Sequence, residues 1–139
     1  MKLNEKISLE QFKTTHEHIG QVLGITFTEV TESSIVATMP VNSKTHQPWG
    51  ILHGGASVVL AESIGSHGSS LLIDNYKYVA VGLEVNANHI RPVKSGLVKG
   101  VGTPIHLGRK THIWDIKIYN EQEKTVCISR LTVAILDKE

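Results

Sequence analysis

The 139-residue chain carries 14 Lys and Arg against 13 Asp and Glu, a formal net charge of +1, with 40% apolar and 19% charged residues. Its length suits one domain over 1–139 with one core; the composition excludes a disordered chain, and the near-neutral balance offers no field for nucleic acid or an anionic membrane. No apolar stretch follows a basic cluster near the start, and no run reaches the ~20 apolar residues of a membrane span, so the expectation is a cytoplasmic protein.

Ser8-Leu9-Glu10-Gln11 has the form of a capping box, and Leu9, Phe12, His16, Ile19, Val22 and Leu23 follow at roughly helical spacing. This pattern predicts a first helix over 8–24, ending at Gly24. Two β-like runs, 25–30 and 34–41, flank the polar Thr31-Glu32-Ser33 and predict a hairpin. Pro48 and Gly50 among polar residues make 42–52 a loop. From Gly54 to Ile73 the residues are mostly small or aliphatic and no Pro or Asn interrupts them. That run predicts one helix of about five turns, apolar nearly all round. After Asp74-Asn75 come four β-rich runs, 79–91, 96–107, 111–119 and 126–136, divided at Gly96, Gly108 and Asn120-Glu121. The only cysteine, Cys127, falls within the last of them and reads as a small buried hydrophobe.

A helix that is hydrophobic on every side has to be surrounded, and a curved antiparallel sheet wrapped around it is the simplest way for so few residues to do that. The expected class is therefore α+β: a hot-dog fold of about six strands around one long central helix over 54–73, with an additional N-terminal helix.

Glu62 is the only carboxylate on the long helix. Burying an unpaired carboxylate costs several kcal/mol, so Glu62 needs a buried cation, a wet face or a chemical task. Just before the helix, His53-Gly54-Gly55 leaves backbone N–H groups unpaired and unshielded by side chains. Such a terminus can hold an anion or a developing oxyanion, and it can equally be a tight turn chosen for close packing. Glu62 lies eight residues past Gly54, about 12 Å along the axis at 1.5 Å per residue, beyond a glutamate's reach. If both act on one carbonyl they must come from two copies with antiparallel helices, which predicts a homodimer at least, with two shared sites.

The segment Gln47-Pro48-Trp49-Gly50-Ile51-Leu52-His53-Gly54-Gly55-Ala56-Ser57-Val58-Val59-Leu60-Ala61-Glu62-Ser63-Ile64-Gly65-Ser66 closely resembles the hot-dog acyl-CoA thioesterases. The resemblance is to the phenylacetate and 4-hydroxybenzoyl-CoA type branch, close to the 1,4-dihydroxy-2-naphthoyl-CoA and enterobactin-proofreading thioesterases. The resemblance continues through Val81-Gly82-Leu83-Glu84-Val85-Asn86-Ala87-Asn88-His89, His106-Leu107-Gly108 and Ser129-Arg130-Leu131-Thr132, nearly the whole chain. It implies hydrolysis of an aromatic or broad-range acyl-CoA, with Glu62 as nucleophile or general base and the Gly54 N–H polarising the carbonyl. His53 and Gln47 would line that hole, and Ser66 would help hold the carboxylate or a water, unless it is only a small residue for close helix packing. His89, Arg91 and the turn Gly108-Arg109-Lys110 match positions that bind CoA, although Arg109 and Lys110 also read as solvated turn residues. Trp49 and His67 either shape the acyl pocket or pack as ordinary core and interface side chains. By the same resemblance, dimers pair into a homotetramer, and no cofactor is needed because CoA is part of the substrate.

The eight histidines are scattered, and His16 and His18 would face different sides of a helix, so no metal set is read. Gly-x-Ser-x-Gly, Gly-x-x-x-x-Gly-Lys and His-Glu-x-x-His are all absent from the sequence. Two competing readings are a hydratase or dehydratase of the same fold, using His53 with Glu62, and a non-catalytic acyl-ligand binding protein.

Overall fold

The computed structural model describes residues 1–139. At the N-terminus, the side chains spaced for one helix are divided among separate elements. A short helix, Leu3–Lys6 (α1), is followed by a 3-10 turn, Leu9–Phe12, and a second short helix, Ile19–Leu23 (α2). The helix expected over 8–24 is thus corrected to two pieces joined by non-helical residues. Half of the capping box forms, with Gln11 Oε1 accepting the Ser8 N–H at 2.8 Å. The chain then leaves the helical path because the Phe12 ring stacks on Phe27, centroids 4.1 Å apart, and the β-branched pair Thr14-Thr15 follows. A new start is made at His18, whose Nδ1 accepts the Gly20 N–H at 3.1 Å. Gly24, at φ +80°, closes α2 in a Schellman motif, its N–H on Gln21 O and the Ile25 N–H on Gly20 O.

The β-branched runs form strands close to where their alternation puts them: Thr26–Val30 (β1), Ile35–Pro40 (β2), Tyr78–His89 (β3), Leu97–Leu107 (β4), Thr111–Tyr119 (β5) and Thr125–Asp137 (β6). They make one six-stranded antiparallel sheet in the order β1-β2-β4-β5-β6-β3. The uninterrupted small and aliphatic run between β2 and β3 forms the long helix Gly54–Leu72 (α3). Chain leaving α3 joins the sheet at the far side of β6, so the helix lies across the concave face and β3 becomes an edge strand.

Toward the sheet α3 buries Ala56, Ser57, Leu60, Ala61, Ile64, Gly65, Gly68 and Ser69. A Cβ at Gly65 would stand 2.5 Å from Leu131 Cδ2, and one at Gly68 2.8 Å from Trp114 Cη2, so these glycines let the helix lie close on the strands. The other face of α3, carrying Val58, Val59, Glu62 and Ser66, remains only half-buried. One polar cluster crosses the layer. Ser69 Oγ accepts from Trp114 Nε1–H at 2.9 Å and lies 2.7 Å from His112 Nδ1, all three residues being buried. No helix of the chain is long and apolar enough to cross a membrane.

Candidate active site

The loop before α3 is tied down by backbone bonds at its end: His53 N–H donates to Thr45 O at 2.8 Å and Leu52 N–H to Val93 O at 2.8 Å. Within it, Gln47 N–H donates to Ile51 O at 2.8 Å, and the Gln47 side-chain oxygen accepts the Trp49 N–H. His53 caps the helix, its Nδ1 accepting the Gly55 N–H at 2.8 Å, while its carbonyl takes the Ala56 and Ser57 N–H groups. The Gly54 N–H is left without an acceptor in the chain. It sits at the positive end of a 19-residue helix, where a partial negative charge is favoured.

The end of β3 closes over this terminus. A Cβ on Gly54 would lie 2.7 Å from His89 Nε2, so the ring occupies the space that the missing side chain leaves. Gln47, Gly54, Ser57, His89 and Arg91 line a cleft of about 350 Å³. Arg91 is held at its mouth by a 2.6 Å hydrogen bond from Nη1 to Thr125 O.

Glu62 points elsewhere. Its carboxylate makes no ion pair and no hydrogen bond within the chain, which removes the structural reading of a carboxylate locked to a buried cation. Instead it lies against Gly82 on the edge strand, with Ser66 one turn further along the same face of α3. Ser66 and Glu62 are therefore together, and both are apart from the Gly54 cleft by the helical rise that separates them.

The remaining expected residues fall into three places. Gly108, Arg109 and Lys110 form the β4–β5 turn, and Gly108 and Arg109 line a depression of about 460 Å³ with Leu72, Asp74 and His112 at the C-terminal end of α3. In one protomer they are at the opposite end of the helix from His89 and Arg91, so these two groups of basic residues do not converge. Trp49 is 85% exposed and packs into no core. His67 packs on Phe12 and Phe27 at 6.3 and 5.5 Å between ring centroids, in a pocket of about 440 Å³ that also reaches Ser63. Its burial, and secondarily the nearby His18, pushes its pKa below the ordinary 6.5. Cys127 is buried, and burial pushes its thiol pKa up, as suits a packing residue and not a nucleophile.

A family model described as the thioesterase superfamily matches residues 50–127, from the loop before α3 to the start of β6. The chain belongs to the thioesterase superfamily. This thioesterase is 48% identical over 134 residues to the 1,4-dihydroxy-2-naphthoyl-CoA hydrolase of Escherichia coli, covering 94% of this chain and 96% of that one. It is 46% identical over 132 residues to the proofreading thioesterase EntH of Cronobacter sakazakii, covering 95% and 93%. Its fold superposes on a crystal structure of a mutant thioesterase PA1618 from Pseudomonas aeruginosa with a TM-score of 0.92, at 51% identity over 95% of this chain and 96% of that chain. The hot-dog architecture expected from the element order is thus that of the thioesterase family.

Three features of this thioesterase escaped the sequence reading: Gly82 beneath the Glu62 carboxylate, the Phe12–Phe27 stack beside His67, and the Ser69–His112–Trp114 cluster. A lone glycine within a β-run was the only visible signal for the first. The other two join residues more than a dozen positions apart, and no local pattern announces them.

Proposed function

We propose that the protein hydrolyses an aromatic acyl-CoA thioester to the free acid and CoA, at two sites that each need a second protomer. The observation that carries this reading is the unpaired Glu62 carboxylate on the half-buried face of α3, next to an unpaired sheet edge. β3 is twelve residues long, has no partner on its outer side and exposes Val79, Val81 and Leu83, the last at 66%. A long apolar edge left open invites aggregation, and pairing with a second β3 closes it. Antiparallel pairing about a two-fold axis sets the two α3 helices side by side, so that Glu62 of one protomer meets the Gly54 terminus of the other.

In that site the thioester oxygen accepts the Gly54 N–H, which stabilises the negative charge as the carbonyl is attacked. Glu62 either adds to the carbonyl carbon, giving an anhydride that water then opens, or takes a proton from the water that adds. CoA leaves as the thiolate in both cases. Gln47 and His53 shape the hole, and Ser66 supports the carboxylate or the water. His89 and Arg91 lie where the CoA chain leaves the cleft, and the turn at Gly108, Arg109 and Lys110 of the second protomer offers cations for its phosphates. The stacked Phe12 and Phe27 beside His67, in a pocket that reaches Ser63, the residue after Glu62, favour an aromatic acyl group. Cytoplasmic CoA thioesters are the matching substrate pool. Ile128 and Leu136 remain exposed on β6 and supply a surface on which two dimers pair into a tetramer.

The test is Glu62→Gln with benzoyl-CoA as substrate and release of free thiol as readout. Hydrolysis should fall by at least about 10²-fold while the thioester still binds. Full turnover in the variant, or binding without hydrolysis by the unaltered protein, would sink the reading.

A further inference from the structure

We propose that Gly82 is a positioning residue for Glu62: its missing side chain on the edge strand is the slot in which the carboxylate is held. This rests on the reading of Glu62 as the reacting carboxylate. Gly82 pairs with Val133 of β6, which is fully buried, so the side-chain position at 82 faces inward toward α3. A Cβ built there would overlap Glu62 Oε2, stand 3.4 Å from Glu62 Cδ and 3.9 Å from Ser66 Oγ. Its three nearest neighbours therefore all belong to the two α3 residues assigned to the chemistry. The ladder also shifts between Gly82 and Glu84, which lets Leu83 bulge outward.

Backbone conformation does not explain the glycine. The positive-φ glycines are Gly24, Gly50 and Gly96, and Gly82 is not among them, so alanine fits its backbone. Packing against a rigid neighbour does not explain it either. What a methyl group would strike is the far end of a flexible glutamate, which can swing aside at little cost to the fold. The cost falls on geometry. A reacting group must stand about 3–3.5 Å from the carbonyl carbon or the water it activates, and a displacement of about 1 Å is worth on the order of 10²-fold in rate. Gly82 thus does for Glu62 what a hydrogen-bond partner would do elsewhere, by leaving one place free on the strand beside the helix.

The experiment is a double-mutant cycle on the full chain, Gly82→Ala and Glu62→Asp, with steady-state hydrolysis of benzoyl-CoA and thermal unfolding of each variant. Gly82→Ala should lower kcat by about 10- to 100-fold, leave KM within about twofold, and leave Tm within about 3 °C. Aspartate is one methylene shorter and does not reach the slot, so Gly82→Ala should cost less than about twofold further in the Glu62→Asp background. An unchanged kcat in Gly82→Ala, losses that multiply in the double variant, or a Tm drop beyond about 5 °C overturns the positioning role while Glu62→Gln remains inactive and the functional reading stands. A wild-type rate that survives Glu62→Gln overturns both.

Discussion

The His89 ring lies over Gly54, with Nε2 2.7 Å from the point that a Cβ on that residue would occupy. The end of β3 therefore stands against the one helix-start amide that has no acceptor. Gly54→Ala would drive the ring off that amide or push the methyl into the cleft. Thioester hydrolysis should fall by about 10²-fold, the loss expected for one oxyanion donor. Because alanine is a better helix former than glycine, Tm should hold or rise slightly. Wild-type turnover in this variant, measured as thiol release, would remove Gly54 from the site.

Sharing of sites between protomers has a statistical signature. Glu62→Ala subunits and Gln47→Ala/His53→Ala subunits should each be inactive alone. Mixed one to one after mild unfolding and refolding, half of the dimers are hybrid and each hybrid has one intact site. Recovery should approach about a quarter of the wild-type activity. Sites contained within single protomers would give no recovery.

The long helix and all six strands were legible because their signals are local. Small and aliphatic residues without interruption made α3, and alternating β-branched residues made β1 to β6 to within about two residues at each end. The separation of Glu62 from Gly54 within one chain was legible from the helical rise alone. The N-terminal segment misled because Leu9, Phe12, His16 and Ile19 satisfy a helical period that tertiary contacts override: Phe12 is claimed by Phe27, and His18 starts a new helix. Which strand ends at the edge is a matter of topology, and the space beneath Glu62 depends on a glycine twenty residues away on the next element. Neither is a property of any sequence window.

The buried cluster at Ser69 predicts a stability effect without a catalytic one. Its hydroxyl accepts from Trp114 and lies 2.7 Å from His112 Nδ1. Ser69→Ala leaves both partners unmatched in the core, at about 1–3 kcal/mol for each buried polar group. Urea unfolding should show a loss of about 2–4 kcal/mol with an unchanged m-value, and kcat should stay within about twofold. A loss below about 0.5 kcal/mol would mean that the hydroxyl is not a required partner.

Acid should weaken the fold through the same cluster. Burial lowers the His112 pKa, His106 adds to the lowering, and a hydrogen bond with the Gly108 backbone opposes it. A histidine held neutral contributes stability that is fully present above its ordinary pKa of 6.5 and is lost as pH falls below that value toward the depressed pKa of the folded state. His67, lowered by burial and by His18, acts in the same direction. The urea midpoint should be flat from about pH 8 to 7 and fall on acidification through about pH 6.5, and His112→Asn should flatten that fall. An identical acid slope in the variant would move the effect elsewhere.

The pocket formed by Phe12, Phe27 and His67, which reaches Ser63 on α3, bears on the choice of acyl group. Phe12 and Phe27 stack at 4.1 Å with an interplanar angle of 13°, and His67 tilts against both. An aromatic acyl group entering there gains ring contacts worth about 0.5–1.5 kcal/mol per pair beyond the area it buries, which an aliphatic chain does not. Phe12→Leu keeps the apolar volume and removes the ring. In a panel of benzoyl-, 4-hydroxybenzoyl- and hexanoyl-CoA, the wild type should favour the aromatic thioesters in kcat/KM, and Phe12→Leu should shrink that preference by about 3- to 10-fold. The ratio of two substrates on one preparation cancels any difference in active fraction, so instability of the variant cannot imitate the result. An unchanged ratio would place the acyl group outside this pocket.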